Sequence, residues 1–147
     1  MIMHPLQIYK PNKSDYLEII AIWEASVRAT HHFLNEEDIL QYKSLIFNQY
    51  LDTVNLFCIK AEQKMLGFMG LNGDMIQMLF LHPDAIGTGL GKALLEFAIN
   101  EKHCTKVDVN EQNESALSFY KHFGFIIIER YDHDAAGKPY PILSLTL

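Results

Sequence analysis

The sequence predicts an α/β domain with a mixed sheet of about seven strands and helices on both faces, in the order βααβββαβαββ. Three observations carry this prediction. Apolar residues recur at helical spacing up to Tyr50 and alternate from Val54 onward. Asn72-Gly73 separates two alternating runs, as a hairpin turn does. An apolar run from Leu79 stops at Pro83 and leads through Gly87, Gly89 and Gly91 into a second helical pattern, which is a strand, a turn and a crossover helix.

In chain order, Leu6 to Lys10 is a short strand, and Ser14 caps a helix over 15–29 whose apolar face holds Tyr16, Ile20, Trp23 and Val27. The stretch 29–34 is a loop. Asn35 then caps a helix over 36–51 that carries Ile39, Tyr42, Ile46 and Tyr50. Val54 to Glu62, Lys64 to Asn72 and Met75 to His82 form three antiparallel strands, the last two joined at Asn72-Gly73, where both turn positions favour positive φ. The next helix turns Leu90, Leu94, Phe97 and Ala98 inward, and Thr105 to Val109 lies parallel to the strand before it. Asn113 caps a helix over 114–123 that Gly124 stops, and Phe125 to Tyr131 and Tyr140 to Leu147 close the sheet.

The 147 residues suit one domain, 1–147, with a substantial core, and no repeat or linker sets off a second; their 49% apolar and 20% charged content is ordinary for a globular protein. A net charge of −6 argues against nucleic acid or an anionic membrane as partner and suits a cationic amine. Cys58 and Cys104, in strand contexts, read as free buried thiols of a cytoplasmic protein. Neither a signal peptide nor an apolar run of membrane-spanning length is visible. His31-His32, His103-Cys104 and His133 lack metal-site spacing, and Asp132 and Asp134 read as a turn, so no metal is expected.

The glycine string carries the chemistry. Without Cβ atoms, the backbone at Gly87, Gly89 and Gly91 can approach a ligand closely, and a helix starting there aims unpaired N–H groups at an anion, most naturally phosphate. A P-loop would need Gly at 86 and Ser or Thr at 93, where Ile86 and Ala93 stand; the dinucleotide fingerprint would need Gly where Lys92 stands. By itself the string fits a phosphate cradle and a bare strand-to-helix turn equally well.

The element order, His82-Pro83, Gly87-Thr88-Gly89-Leu90-Gly91-Lys92 and the later Asn113, Phe119-Tyr120 and Phe123-Gly124-Phe125 together resemble the GNAT acetyltransferases. The likeness spans essentially the whole chain. Residues 26–34, 109–114 and Gly137-Lys138-Pro139-Tyr140-Pro141 are similar to the YjaB-like bacterial group of that family.

The resemblance implies acetyl-CoA as donor and a small-molecule or peptide amine as acceptor, with direct attack of the amine in a ternary complex. It further implies that N–H groups from Gly87 through Lys92, Thr88 and Leu90 included, hold the pyrophosphate, with Ile86 opening the turn. The strand segment Leu79-Phe80-Leu81 would pair with the pantetheine arm through Leu79 and Leu81. Asn113 would hydrogen-bond that arm, and Tyr120 would face the thioester sulfur. Ile86 departs from the Arg or Gln usual in the family, which removes a charge-assisted contact of about 1.5–3 kcal/mol that Lys92 or Lys121 would have to replace.

Acetyl transfer needs an oxyanion donor, a proton acceptor for the amine and a proton for the leaving thiolate. A main-chain N–H at Leu79 can serve as the first. Tyr120 is the candidate acid; its spacing with Ala116 and Phe123 also fits a core aromatic. Asn113 is equally a plain helix cap. Met75 to Leu81 offers no carboxylate, only Gln77, so His31 in the inter-helix loop is the candidate base; a turn-shaping histidine is the other reading. Glu24 and Glu111 are reserves. An alternative function is a CoA-binding regulatory module without catalysis, and another is a partner-binding domain indifferent to CoA. The assembly expected is a monomer or homodimer.

Overall fold

The computed structural model describes residues 6–147; the reading of a chain start without a leader falls partly on residues 1–5, outside the described residues. A seven-stranded mixed sheet forms the centre, with strands β1 Leu6–Tyr9, β2 Asn55–Ala61, β3 Lys64–Asn72, β4 Met75–Leu81, β5 Lys106–Asn110, β6 Ile126–Tyr131 and β7 Ile142–Thr146. Their spatial order is β1-β2-β3-β4-β5-β7-β6, and β4 with β5 is the parallel pair. Helices α1 Tyr16–Thr30 and α2 Glu36–Asn48 cover one face; α3 Leu90–Asn100 and α4 Glu114–His122 cover the other. The expected class and element order are those observed.

Period-two alternation in the strands supplies two cores. Leu56, Cys58 and Phe68 pack with Ile20, Trp23, Val27 and Ile39 of α1 and α2, whereas Phe57, Ile59 and Met69 pack with Leu90, Leu94, Leu95 and Ala98 of α3.

Several local expectations shift. Ser14 is not a cap: Lys13–Asp15 form a 3₁₀ turn, and the Asn12 N–H donates to Asp15 Oδ2 (2.8 Å) while the Asp15 N–H donates to the Asn12 carbonyl (2.9 Å). This reciprocal pair puts the start of the helical segment at Asn12, two residues before Ser14. Helix α1 continues through Thr30, so the loop starts at His31. The helix expected over 36–51 ends at Asn48, and Tyr50–Thr53 form a 3₁₀ turn. Asn35 does cap α2, accepting from the Asp38 N–H at 2.8 Å.

The β3–β4 hairpin turn is Gly73-Asp74 rather than Asn72-Gly73, because Asn72 pairs with Met75; only Gly73 (φ +60°) is left-handed. The β2–β3 turn is where two successive residues, Glu62 and Gln63, take positive φ. Cys104 is buried in the connection from α3 to β5, not in a strand.

Two irregularities create the site. Leu71 pairs with Ile76 and Gly70 with Met78, which leaves Gln77 as an extra residue on β4. This bulge reverses the side-chain alternation, so Met78 and Phe80 face α1 and α2 while Leu79 and Leu81 face the α3 core. In addition, β4 pairs with β5 only at Met75–Lys106 and Ile76–Val107. Beyond Ile76 the two strands part, and the edge of β4 towards β5 has no ladder partner.

Candidate active site

The parting of β4 and β5 opens a cavity of about 390 Å³ that takes its wall from both faces of the sheet. Leu79, Leu81, Asn113, Phe119 and Tyr120 line it on the α3–α4 side; Ser26, Thr30, His31 and Phe80 line it on the α1 side. Ile86, Gly87, Gly89, Gly91 and Lys92 form one end.

That end is built by backbone conformation. Gly87 (φ +80°) and Gly89 (φ +90°) are left-handed, and a Cβ at either would meet nothing within 4 Å. Glycine is therefore demanded by the dihedrals and leaves the space in front of them open. Gly89 precedes α3, so the first-turn N–H groups of Leu90, Gly91 and Lys92 lack partners within the helix, and the positive end of its dipole lies there. Thr88 departs from the expectation: its N–H already donates to the Ala85 carbonyl (3.2 Å), its hydroxyl bonds that same carbonyl, and neither it nor Leu90 lines the cavity. Ile86 is 47% exposed at this end, and Lys92 leans towards Glu96 at 3.8 Å. Lys121 does not line the cavity.

Asn113 is the expected helix cap and also reaches the cavity wall. Its side-chain oxygen accepts from the Ala116 N–H (3.2 Å), capping α4, and the residue lines the cavity. Helix α4 brings Tyr120 to the same wall. Tyr120 is only 5% exposed, its ring held edge-on against Phe119 and Phe125 (centroids 5.2 and 5.6 Å). Its hydroxyl has no hydrogen-bond partner among the described residues yet is not sealed off, so it opens on the cavity. Burial pushes this phenol well above its ordinary range.

His31 is 7% exposed, its ring tilted against Phe33 (5.3 Å) and Phe80 (6.3 Å). The Thr30 hydroxyl donates to the Ser26 carbonyl (2.8 Å) and lies 2.7 Å from His31 Nδ1. Having one proton, that hydroxyl accepts from Nδ1–H, which leaves Nε2 with the free lone pair. Burial, and secondarily His32, lower the imidazole to about 4. The ring is thus neutral at physiological pH and a far weaker base than the ordinary value of 6.5 suggests.

The reserve carboxylates are engaged elsewhere: Glu24 with Arg28 (2.9 Å) and Lys43 (2.7 Å), Glu111 with Arg130 (2.6 Å). Cys58 and Cys104 are free and buried, and burial raises both thiols, Cys58 to about 12, which disfavours a thiolate nucleophile. Among the described residues no group of three or more His, Cys, Asp and Glu is placed to hold a metal ion, and no helix is long and apolar enough to cross a membrane.

Sequence reasoning missed Asp108. In Val107-Asp108-Val109 it reads as the outward residue of an ordinary strand, but it lies one position past the last β4–β5 pair and so lines the cavity. The pairing length that puts it there has no local signal.

A model of the acetyltransferase (GNAT) domain matches residues 52–127. The chain is 38% identical over 128 residues to the peptidyl-lysine N-acetyltransferase YjaB of Escherichia coli (strain K12), covering 87% of each. To the protein of the same name from Salmonella typhimurium it is 40% identical over 129 residues, 87% of this chain and 88% of that one. The solution structure of apo-form YjaB from Escherichia coli superposes with a TM-score of 0.89 at 37% identity, over 97% of both chains. With a cavity through the β4–β5 split and a left-handed glycine turn at its end, the chain belongs to the GNAT family of acetyltransferases, which move an acetyl group from acetyl-CoA to an amine.

Proposed function

We propose that residues 1–147 act as a single N-acetyltransferase domain whose acceptor is a lysine side chain of a peptide or protein, attacked directly in a ternary complex. The observation that carries the reading is the Tyr120 hydroxyl, buried and without a partner among the described residues, opening on a cavity that ends at unpaired helix N–H groups. The acceptor class is supported by the names of the relatives and by a net charge of −6. The two free thiols favour a cytoplasmic setting. The active unit is a monomer or a homodimer.

In this reading the N–H groups of Gly87, Gly89, Gly91 and Lys92 receive the pyrophosphate of acetyl-CoA. The unpaired edge of β4 at Leu79 and Leu81 receives the pantetheine arm, with Asn113 opposite. The amine nitrogen attacks the thioester carbon, and a main-chain N–H of Leu79 stabilises the oxyanion. Collapse breaks the carbon–sulfur bond, and Tyr120 protonates the leaving thiolate. Its raised position is no obstacle, because the same desolvation penalises the thiolate. His31 Nε2 accepts a hydrogen bond from the incoming amine and passes its proton to solvent, acting as an orienting acceptor more than as a strong base.

The deciding experiment is a thiol-release screen with acetyl-CoA over lysine peptides, free amino acids, polyamines and aminoglycosides, with mass spectrometry of the product. Acetylation at lysine Nζ is expected; turnover with small amines alone would overturn the acceptor reading.

Two variants probe the cofactor end. In Gly89→Ala the methyl meets no protein atom, so the cost is backbone strain of about 1–2 kcal/mol plus intrusion on the phosphate space. A melting temperature lower by a few degrees and weaker CoA binding are expected, read by calorimetry. Ile86→Arg should tighten CoA about tenfold or more, since a guanidinium on the exposed Ile86 position supplies the missing charge-assisted bond.

A further inference from the structure

The cavity is electrically polar. Among its described lining residues only two carry charge: Lys92, beside the glycine turn, and Asp108, just past the point where β4 and β5 part. An ammonium sits with the helix N-terminus at one end and a carboxylate lies at the other. That arrangement complements a phosphate-bearing donor entering at the first and a cationic nucleophile entering at the second.

Asp108 is prepared for such a partner. Its side chain is on the strand face opposite Val107 and Val109, and the register places Ser144 of β7 beside it. The Ser144 hydroxyl donates to Oδ1 at 2.6 Å, which fixes the carboxylate plane and leaves Oδ2 without a protein partner among the described residues. The charged and titratable groups around it are Lys106 on its own strand and Glu129 and Tyr131 of β6, which share the face through Ser144. Lys106 is drawn to Asp74 at 3.5 Å, and the Tyr131 hydroxyl donates to Glu129 at 2.9 Å. Asp108 therefore has no cationic partner among the described residues, and its neighbours on β6 reinforce a negative potential. A second feature points to a ligand at this place: the buried, unpartnered Tyr120 hydroxyl opens on the same cavity.

We propose that Asp108 is the acceptor-binding residue: Oδ2 receives the acceptor's alkylammonium, selecting cationic primary amines over uncharged nucleophiles, and holds it at the β4–β5 split, where it gives one proton to solvent and attacks as the neutral amine. The proposal deepens the lysine reading above and rests on it for the identity of the acceptor. Asp108 is exposed and Ser144 is its only hydrogen-bond partner among the described residues, so replacing the carboxylate by an amide keeps the fold and removes the charge.

The test is steady-state kinetics of wild type, Asp108→Asn and Asp108→Glu with acetyl-CoA and three acceptors: a lysine peptide, butylamine, and a hydrazide that is uncharged at the assay pH. For Asp108→Asn the KM for the peptide and for butylamine should rise at least tenfold. The KM for acetyl-CoA, the melting temperature and the kinetics with the hydrazide should stay within twofold. Asp108→Glu should recover part of the loss. An acceptor KM within twofold of wild type, or an equal rise for the hydrazide, would overturn the proposal. Failure of the peptide while butylamine is acetylated would count against the lysine reading alone, with Asp108 then judged on butylamine.

Discussion

Tyr120→Phe is expected to lower kcat by about 10² to 10³, the range for removal of a positioned general acid. Coenzyme A binding stays within about twofold, since the ring contacts with Phe119 and Phe125 are kept and no bond from the hydroxyl to the protein is lost. For the same reason the melting temperature holds or rises slightly: no buried group loses its partner. Thiol-release kinetics, calorimetry with CoA and a melting curve measure all three. A variant turning over at the wild-type rate would refute the acid role, and one that loses CoA binding would make Tyr120 a packing residue.

Acidification destabilises the fold through His31. The imidazole titrates near 6.5 when unfolded and near 4 when folded, because burial disfavours the charged ring. Between these values the unfolded chain binds the extra proton, so stability falls as pH falls, and the loss is complete near pH 4. The difference is worth about 3 kcal/mol as an upper figure. Urea unfolding at intervals from pH 7.5 to 4.5 should show this slope, and His31→Gln should flatten it while keeping a polar atom near Thr30. A wild-type curve with the same slope as the variant would contradict the assignment. A kinetic corollary is that no acid limb near pH 6.5 in the rate profile belongs to His31.

Much of this molecule was legible because its signals are local. Asn35 and Asn113 cap the helices they were expected to cap, since a side-chain oxygen needs only the N–H three residues on. The glycine turn was readable because left-handed dihedrals at Gly87 and Gly89 exclude other residues. Where local rules competed, the reading slipped. Asn12 with Asp15 displaced Ser14 as the cap, and pairing of Asn72 with Met75 moved the hairpin turn by one residue. Thr88 lies within the glycine string, but its N–H is engaged by the Ala85 carbonyl.

The sequence by itself determined the fold class, the order of elements and the left-handed glycine turn, because periodicity, capping and glycine dihedrals act over a few residues. Only the tertiary structure decided how far β4 stays paired with β5, that Gln77 bulges, that His31 is buried enough to lose its basicity, and that Asp108 faces the cavity. Register and desolvation depend on partners tens of residues away in the chain, such as Phe80 against His31 and Ser144 against Asp108, and no window of neighbouring residues contains them.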